Sequence, residues 1–382
     1  MEFSQIKEID NKYSIITYPR HNLCMVRGDG NTLYDTNDRA YVDFVAGLGE
    51  SCLGYKNTML TQAIKSQADS IASFSNLYYN ELHSTLAQMI CNDTPFTKVC
   101  FGGSIGDALL IIAMMIRKFC IESKDSRNTV LAVTESEGLY DTIQNESLCV
   151  KTVKPDLTEF KNSLTDDICA VIFCPIEVDQ GVKINKYEFL LSAYALCRSK
   201  GVLVICDETS IGLGRTGNMF AFDEYGVQPD IVMIARGMGG GIPIAAILSR
   251  GEIATTLSPS DRINTFSISS VALVSAIVVI KRLKSGMLEE ITAKGEYLMG
   301  KLSKLKKHHF VVDIRGIGLV VGIELTPDLN VAKIVGQMES NGFLVDQTYN
   351  NTLRITPPFT ISEREIDNMV AALSEIFTHT NV

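Results

Sequence analysis

Two carboxylates at the end of an apolar run constrain this chain more than any other feature. The stretch from Gly201 to Gly241 reads GVLVICDETSIGLGRTGNMFAFDEYGVQPDIVMIARGMGGG. Val202 to Cys206 is apolar and rich in β-branched residues, the signature of a buried strand. Asp207 and Glu208 close that strand at its C-terminal end. Ligands gather at that edge of an open α/β sheet. A turn rich in glycine follows, with Gly212, Gly214 and Gly217 around Arg215 and Thr216. Pro229-Asp230 then leads into a second apolar run, Ile231 to Ala235, which ends at Arg236 ahead of more glycines. Strands with charge only at their ends, joined by glycine turns, predict an α/β fold with a site along the strand ends.

The chain of 382 residues suits one large α/β domain and a smaller one. We place the small domain at 1–60 and 271–382, with the connecting helix at the start of the latter, and the large domain at 61–270. Hydrophobic residues make up 46% and charged residues 21%, enough to bury a sizeable core. A net charge of −9 argues against nucleic acid or an anionic membrane surface as partner. The ten cysteines are scattered without a CxxC pair, which predicts reduced thiols and a cytoplasmic location. The N-terminus lacks a signal pattern, and the apolar stretch Val271 to Ile280 is too short to span a bilayer. No His/Cys spacing of metal-ligand type occurs.

Along the chain, Met25 to Gly30 and Leu33 to Asp35 read as two short strands around a glycine turn, and Asn57 to Ser70 as a helix. Lys98 to Phe101 is a strand. Gly102-Gly103-Ser104-Ile105-Gly106-Asp107-Ala108 follows, and a helix is expected over Leu109 to Phe119. Such a turn at a helix N-terminus can cradle a phosphate on its backbone N–H groups. Its ordinary alternative is a plain strand–helix turn. Asn128 to Val133 and Ile168 to Cys174 are further strands, followed by Thr134-Glu135-Ser136-Glu137-Gly138 and by Pro175-Ile176-Glu177. Helices are predicted over Tyr187 to Lys200, Ala272 to Leu283 and Glu363 to Phe377.

Several motifs taken together closely resemble the class III, fold-type I aminotransferases that use pyridoxal phosphate (PLP). They are Asp207-Glu208, Gly214-Arg215-Thr216-Gly217, Pro229-Asp230-Ile231, Arg315-Gly316-Ile317-Gly318-Leu319 and Leu353-Arg354-Ile355-Thr356-Pro357-Pro358. Asn76-Leu77-Tyr78-Tyr79-Asn80-Glu81 is similar to the acetylornithine and ornithine-type subgroup. The resemblance implies a large domain with a mixed, mostly parallel seven-stranded sheet between helices, plus a small α+β domain built from both termini. It implies that Asp207 pairs with the pyridine nitrogen of PLP and keeps the ring an electron sink. It puts Ser104, Ile105 and Gly106 at the phosphate and Ser136 at the ring-stacking place. Arg354 is implied to grip a substrate carboxylate by a two-point contact, with Glu177 nearby. Thr265 would reach the neighbouring subunit's cofactor, which implies a homodimer.

The chain departs from that pattern where chemistry is done. Arg236 stands at the place of the lysine that forms the Schiff base. A guanidinium keeps its proton and donates without accepting, so it neither forms an imine nor abstracts a proton. Ile105, Ser136, Glu137 and Cys174 also fall at cofactor-facing places. A deliberate Lys-to-Arg exchange explains the first departure and not the other four.

The leading expectation is therefore a family member that has lost ordinary transamination. PLP is held without an imine or not at all. The role is that of a pseudoenzyme binding a small anionic or amino-acid-like ligand, or regulating, alone or with an active paralogue. One alternative is altered acid–base chemistry through Glu137, Glu177 and Asp107, with Cys174 or Cys100 as a thiol nucleophile; structural thiols are the plainer reading. Another is a working aminotransferase that uses 2-oxoglutarate as acceptor. On these readings Arg236, Asp207 and Glu137 are the catalytic candidates.

Overall fold

The computed structural model describes residues 1–136, 138–144, 148–261, 268–349 and 351–380. Helix α1 (Phe3–Tyr13) precedes a meander of β1 (Met25–Asp29), β2 (Thr32–Asp35) and β3 (Ala40–Asp43). Helices α2 (Thr58–Ser70) and α3 (Glu81–Cys91) follow. Asn57 and Asn80 start them by accepting backbone N–H groups of the first turn.

The central layer then alternates strand and helix: β4 (Lys98–Gly102), α4 (Ile105–Glu122), β5 (Thr129–Val133), β6 (Cys149–Val153), α5 (Leu157–Ser163) and β7 (Ile168–Phe173). A short ribbon, β8 (Ile176–Glu177) with β9 (Lys183–Ile184), leads to α6 (Tyr187–Ser199), β10 (Leu203–Glu208), β11 (Ile231–Ile234) and β12 (Ala245–Ser249). The seven strands order as β4-β12-β11-β10-β7-β5-β6. Strand β12 runs antiparallel to both neighbours and the remaining pairs are parallel. Every residue of β5, β7 and β11 is buried, as continuous apolar runs covered on both faces must be. Helix α4 packs one face through Ile111, Ile112 and Ile116 against Val130, Ile172 and Ile205. Helices α5 and α6 cover the other through Phe160, Phe189 and Leu190. This is the fold-type I architecture expected from the resemblance.

Helices α7 (Ser270–Arg282) and α8 (Leu288–Leu302) lead to β13 (Val311–Ile317) and β14 (Val320–Leu325). Helix α9 (Val331–Ser340) follows, then β15 (Phe343–Leu344), β16 (Asp346–Thr348), β17 (Thr352–Ile355) and α10 (Glu363–Thr378). Strands β13-β14-β17-β16 form an antiparallel sheet. Strand β15 pairs parallel with β3, Phe343 opposite Val42, so the two ends of the chain share one sheet. Asn31 and Thr360 bind each other, and Glu365 accepts from Asn31 while capping α10 through Ser362.

The Gly-Arg-Thr-Gly turn is the hub between these layers. Arg215 is 1% exposed and donates to the carbonyls of Leu319 (3.1 Å), Pro357 (2.7 Å) and Gly49 (3.3 Å). Its guanidinium lies 4.6 Å from the centre of the Phe359 ring. Gly217 has φ +95°, and a Cβ there would lie 2.1 Å from Thr292 Oγ1, so only glycine lets the turn meet α8.

Candidate active site

Asp207 and Glu208 sit side by side in β10 and therefore face opposite ways. Glu208 accepts the backbone N–H groups of Ala221 (2.8 Å) and Phe222 (2.7 Å), and burial pushes its pKa up to about 8. It is a structural anchor for the turn that follows. Asp207 faces the strand ends. Its Oδ1 accepts from Thr209 N (2.8 Å) and Thr209 Oγ1 (2.7 Å), and its Oδ2 from the Tyr140 hydroxyl (2.8 Å). Burial raises the Asp207 pKa, while those donors and the charge of Arg236 oppose the rise.

Arg236 leaves the end of β11, the strand that pairs with β10 in the register Asp207 to Met233. Its backbone N–H donates to Thr209 O at 3.0 Å. Its guanidinium turns to Asp179, with Nη1 3.2 Å from Oδ1 and Nη2 3.2 Å from Oδ2, a two-point contact. Nη1 also donates to Ser210 O at 3.4 Å.

Arg354 reaches the same carboxylate. It lies in β17 with its side chain 6% exposed, and it donates to Asp179 through Nη1 and to Asp346 through Nη2. Asp179 also accepts from Ser210 Oγ (3.1 Å), and its carbonyl accepts from Thr348 Oγ1 (2.8 Å). Partial burial pushes the Asp179 carboxyl up, yet the two guanidiniums outweigh this and hold it below the ordinary carboxylate range. Among the described residues the buried Nε of Arg354 has no hydrogen-bond partner.

The other candidates lie around this core. Glu177 is buried; its Oε2 accepts from Thr134 Oγ1 (2.6 Å) and Glu135 N (3.1 Å), whereas its Oε1 is buried without a partner among the described residues. Burial raises its pKa. Ser136 donates its N–H to Thr134 Oγ1 at 2.9 Å. Burial, followed by the charges of Asp207 and Glu177, drives the Cys174 thiol well above its usual range, and burial raises Cys100 too. Neither is a ready thiolate. Ser104 caps α4 by accepting Asp107 N at 3.1 Å, and Asp107 accepts Gly103 N at 2.8 Å. Ile105 is thus the first residue of the helix and packs on the cluster beneath α4. Glu137 and Thr265 lie outside the described residues. The structure thus links Arg236 with Arg354 and places Asp207 beside Arg236. Ser104, Ile105 and Gly106 lie at the start of α4, just beyond the end of β4.

Residues 15–136 and 126–377 match the family described as Aminotransferase class-III. The chain is 31% identical to the acetylornithine aminotransferase of Methanocaldococcus jannaschii, over 97% of each protein. It is 32% identical to that of Clostridium acetobutylicum, over 96% of this chain and 99% of the relative.

The chain belongs to the class-III aminotransferase family.

The fold of this class-III family member superposes on the acetylornithine aminotransferase of Elizabethkingia anophelis with a TM-score of 0.91 and 24% identity, covering 99% of each chain. The ornithine aminotransferase of Toxoplasma gondii gives 0.92 at 23% identity, covering 99% of this chain and 95% of that one. Among the described residues of this family member no helix is long and apolar enough to cross a membrane.

Two residues that organise the site were not singled out in the sequence. Asp179 lies in a short 3₁₀ turn (Val178–Gln180) closed by Gly181 at φ +84°. Tyr140 precedes another such turn (Asp141–Ile143). Their spacing carries no motif, and their partners are remote in sequence. The one available signal for Asp179 was its place two residues beyond Glu177.

Proposed function

We propose that this chain is an acetylornithine/ornithine-type member of the class-III family that binds a small carboxylate ligand without imine chemistry. The carrying observation is the two-point contact of Arg236 with Asp179, shared with Arg354. Two guanidiniums converge on one carboxylate, which is the recognition chemistry of an organic acid or amino acid. The residues do not fit covalently held PLP. In this reading Arg236 stands where the family's lysine would attack, and a guanidinium offers no amine for the bond. Arg354 and Arg236 bind and orient the carboxylate. Glu177, with one oxygen unpartnered among the described residues, would receive a ligand amine or hydroxyl. Of the partners expected, the reading keeps the small anionic ligand and assembly as a homodimer, or with an active paralogue.

Calorimetric titration with ornithine, N-acetylornithine and 2-oxoglutarate, paired with an amino-transfer assay on the same protein, tests this. Binding of at least one, lost in Arg354→Ala and without transfer, is expected. Transfer at an ordinary enzymatic rate, about 1 per second or more, would sink the reading. A second reading, a working aminotransferase, draws support from the full-length likeness to acetylornithine aminotransferases. It requires another amine in place of Arg236.

A further inference from the structure

The corner of the site around Asp207 is already filled by the chain itself. The Tyr140 hydroxyl donates to Asp207 Oδ2 at 2.8 Å, while Thr209 holds Oδ1 twice. Tyr140 is 2% and Asp207 5% exposed, so the carboxylate is sealed from solvent. A ligand ring would need a cavity of roughly 300 Å³ or more. Among the described residues, cavities of about 760, 530, 330 and 320 Å³ are lined by other residues than Asp207, Tyr140, Ser104 and Arg236.

We infer that Tyr140 is a built-in occupant of the ring half of the site: its phenol takes the donor place on Asp207 that a protonated pyridine would need. The inference rests on the proposed reading of the site and deepens it. The ligand is confined to the arginine half and is an acyclic carboxylate, with no aromatic ring reaching Asp207. The side chain is packed and the backbone beside it is tied into the following turn. Tyr140 packs in the core cluster beneath α4, and its carbonyl accepts Ile143 N at 2.9 Å. Burial, then the charge of Asp207, drives the phenol well above its ordinary pKa, so it remains a donor at neutral pH.

The test is retention of PLP after equilibrium dialysis, with thermal unfolding followed in parallel, for the wild type, Tyr140→Phe, Tyr140→Thr and Asp207→Asn. The wild type and Tyr140→Phe are expected to retain only a trace and to show no PLP-dependent rise in Tm. Tyr140→Thr is expected to retain at least tenfold more, reversibly, and to lose it when combined with Asp207→Asn. Retention by the wild type that Asp207→Asn abolishes overturns the inference, whether or not the threonine variant folds. Failure of a folded Tyr140→Thr to gain PLP overturns it as well. Amino transfer by the wild type would instead count against the proposed function, and it is read in a separate assay.

Discussion

At the scale of the residue, one carboxylate does what a ligand would do. Asp179 sits between Arg236 and Arg354 with its side chain 46% exposed, so it is a partner that water and an incoming acid can displace. Replacing it with alanine leaves Arg354 with Asp346 and leaves Arg236 without its two-point partner. We expect Asp179→Ala to cost about 1–2 kcal/mol in urea unfolding, below the cost of breaking a fully buried pair. The same variant should bind small carboxylates several-fold more tightly, because the internal competitor is gone. Unchanged affinity would mean that Asp179 does not compete for the arginines. Glu208 gives a pH prediction of definite sign. Its folded pKa, about 8, lies above the ordinary 4.5. The folded state therefore holds the proton more tightly, and the contribution is complete below the ordinary value and is lost as pH rises towards 8. Stability from this group should fall by up to ~1.4 kcal/mol per pH interval of one across that window. Glu208→Gln should flatten the fall when urea midpoints are compared at pH 5 and pH 8; an identical slope in both proteins would contradict it. Asp207 and Arg236 stood out at the ends of apolar runs, and Arg354 through the resemblance to the class III pattern. Asp179 and Tyr140 were not, since their roles come from partners 57 and 67 positions away.

At the scale of the element, apolar runs located the strands and capping decided where helices began. The runs Ile168 to Cys174, Val202 to Cys206 and Ile231 to Ala235 all became buried parallel strands. Helix α4 begins at Ile105, four residues before the start expected from its apolar face. Ser104 and Asp107 supply the cap, and capping groups precede the hydrophobic periodicity that marks a helix in sequence. The Gly-Arg-Thr-Gly turn reported fold more than chemistry. Arg215 is fully buried, and burial brings its pKa down to about 10. It binds carbonyls contributed by three separated segments, around Gly49, Leu319 and Pro357. Arg215→Ala strands these acceptors and removes the ring contact with Phe359. A loss of about 3–5 kcal/mol is expected in chemical denaturation; a loss below about 1 kcal/mol would show that the hub is dispensable.

At the scale of the whole molecule, the match to the class-III family runs through nearly all of the chain, and the fold follows it from end to end. The large sheet brings Asp207 in β10 and Arg236 just beyond β11 to neighbouring strand ends. At the strand ends a guanidinium clasps Asp179 and a phenol donates to Asp207. The central claim is that this frame holds its ligand without a covalent link to PLP. Incubation of the pure protein with PLP, borohydride reduction and intact-mass measurement test it most directly. The account predicts an unchanged mass for the wild type under conditions that modify an active acetylornithine aminotransferase. A single stoichiometric PLP adduct, mapped by peptide digestion to one lysine at the site, would contradict it and restore the chain to the working aminotransferases.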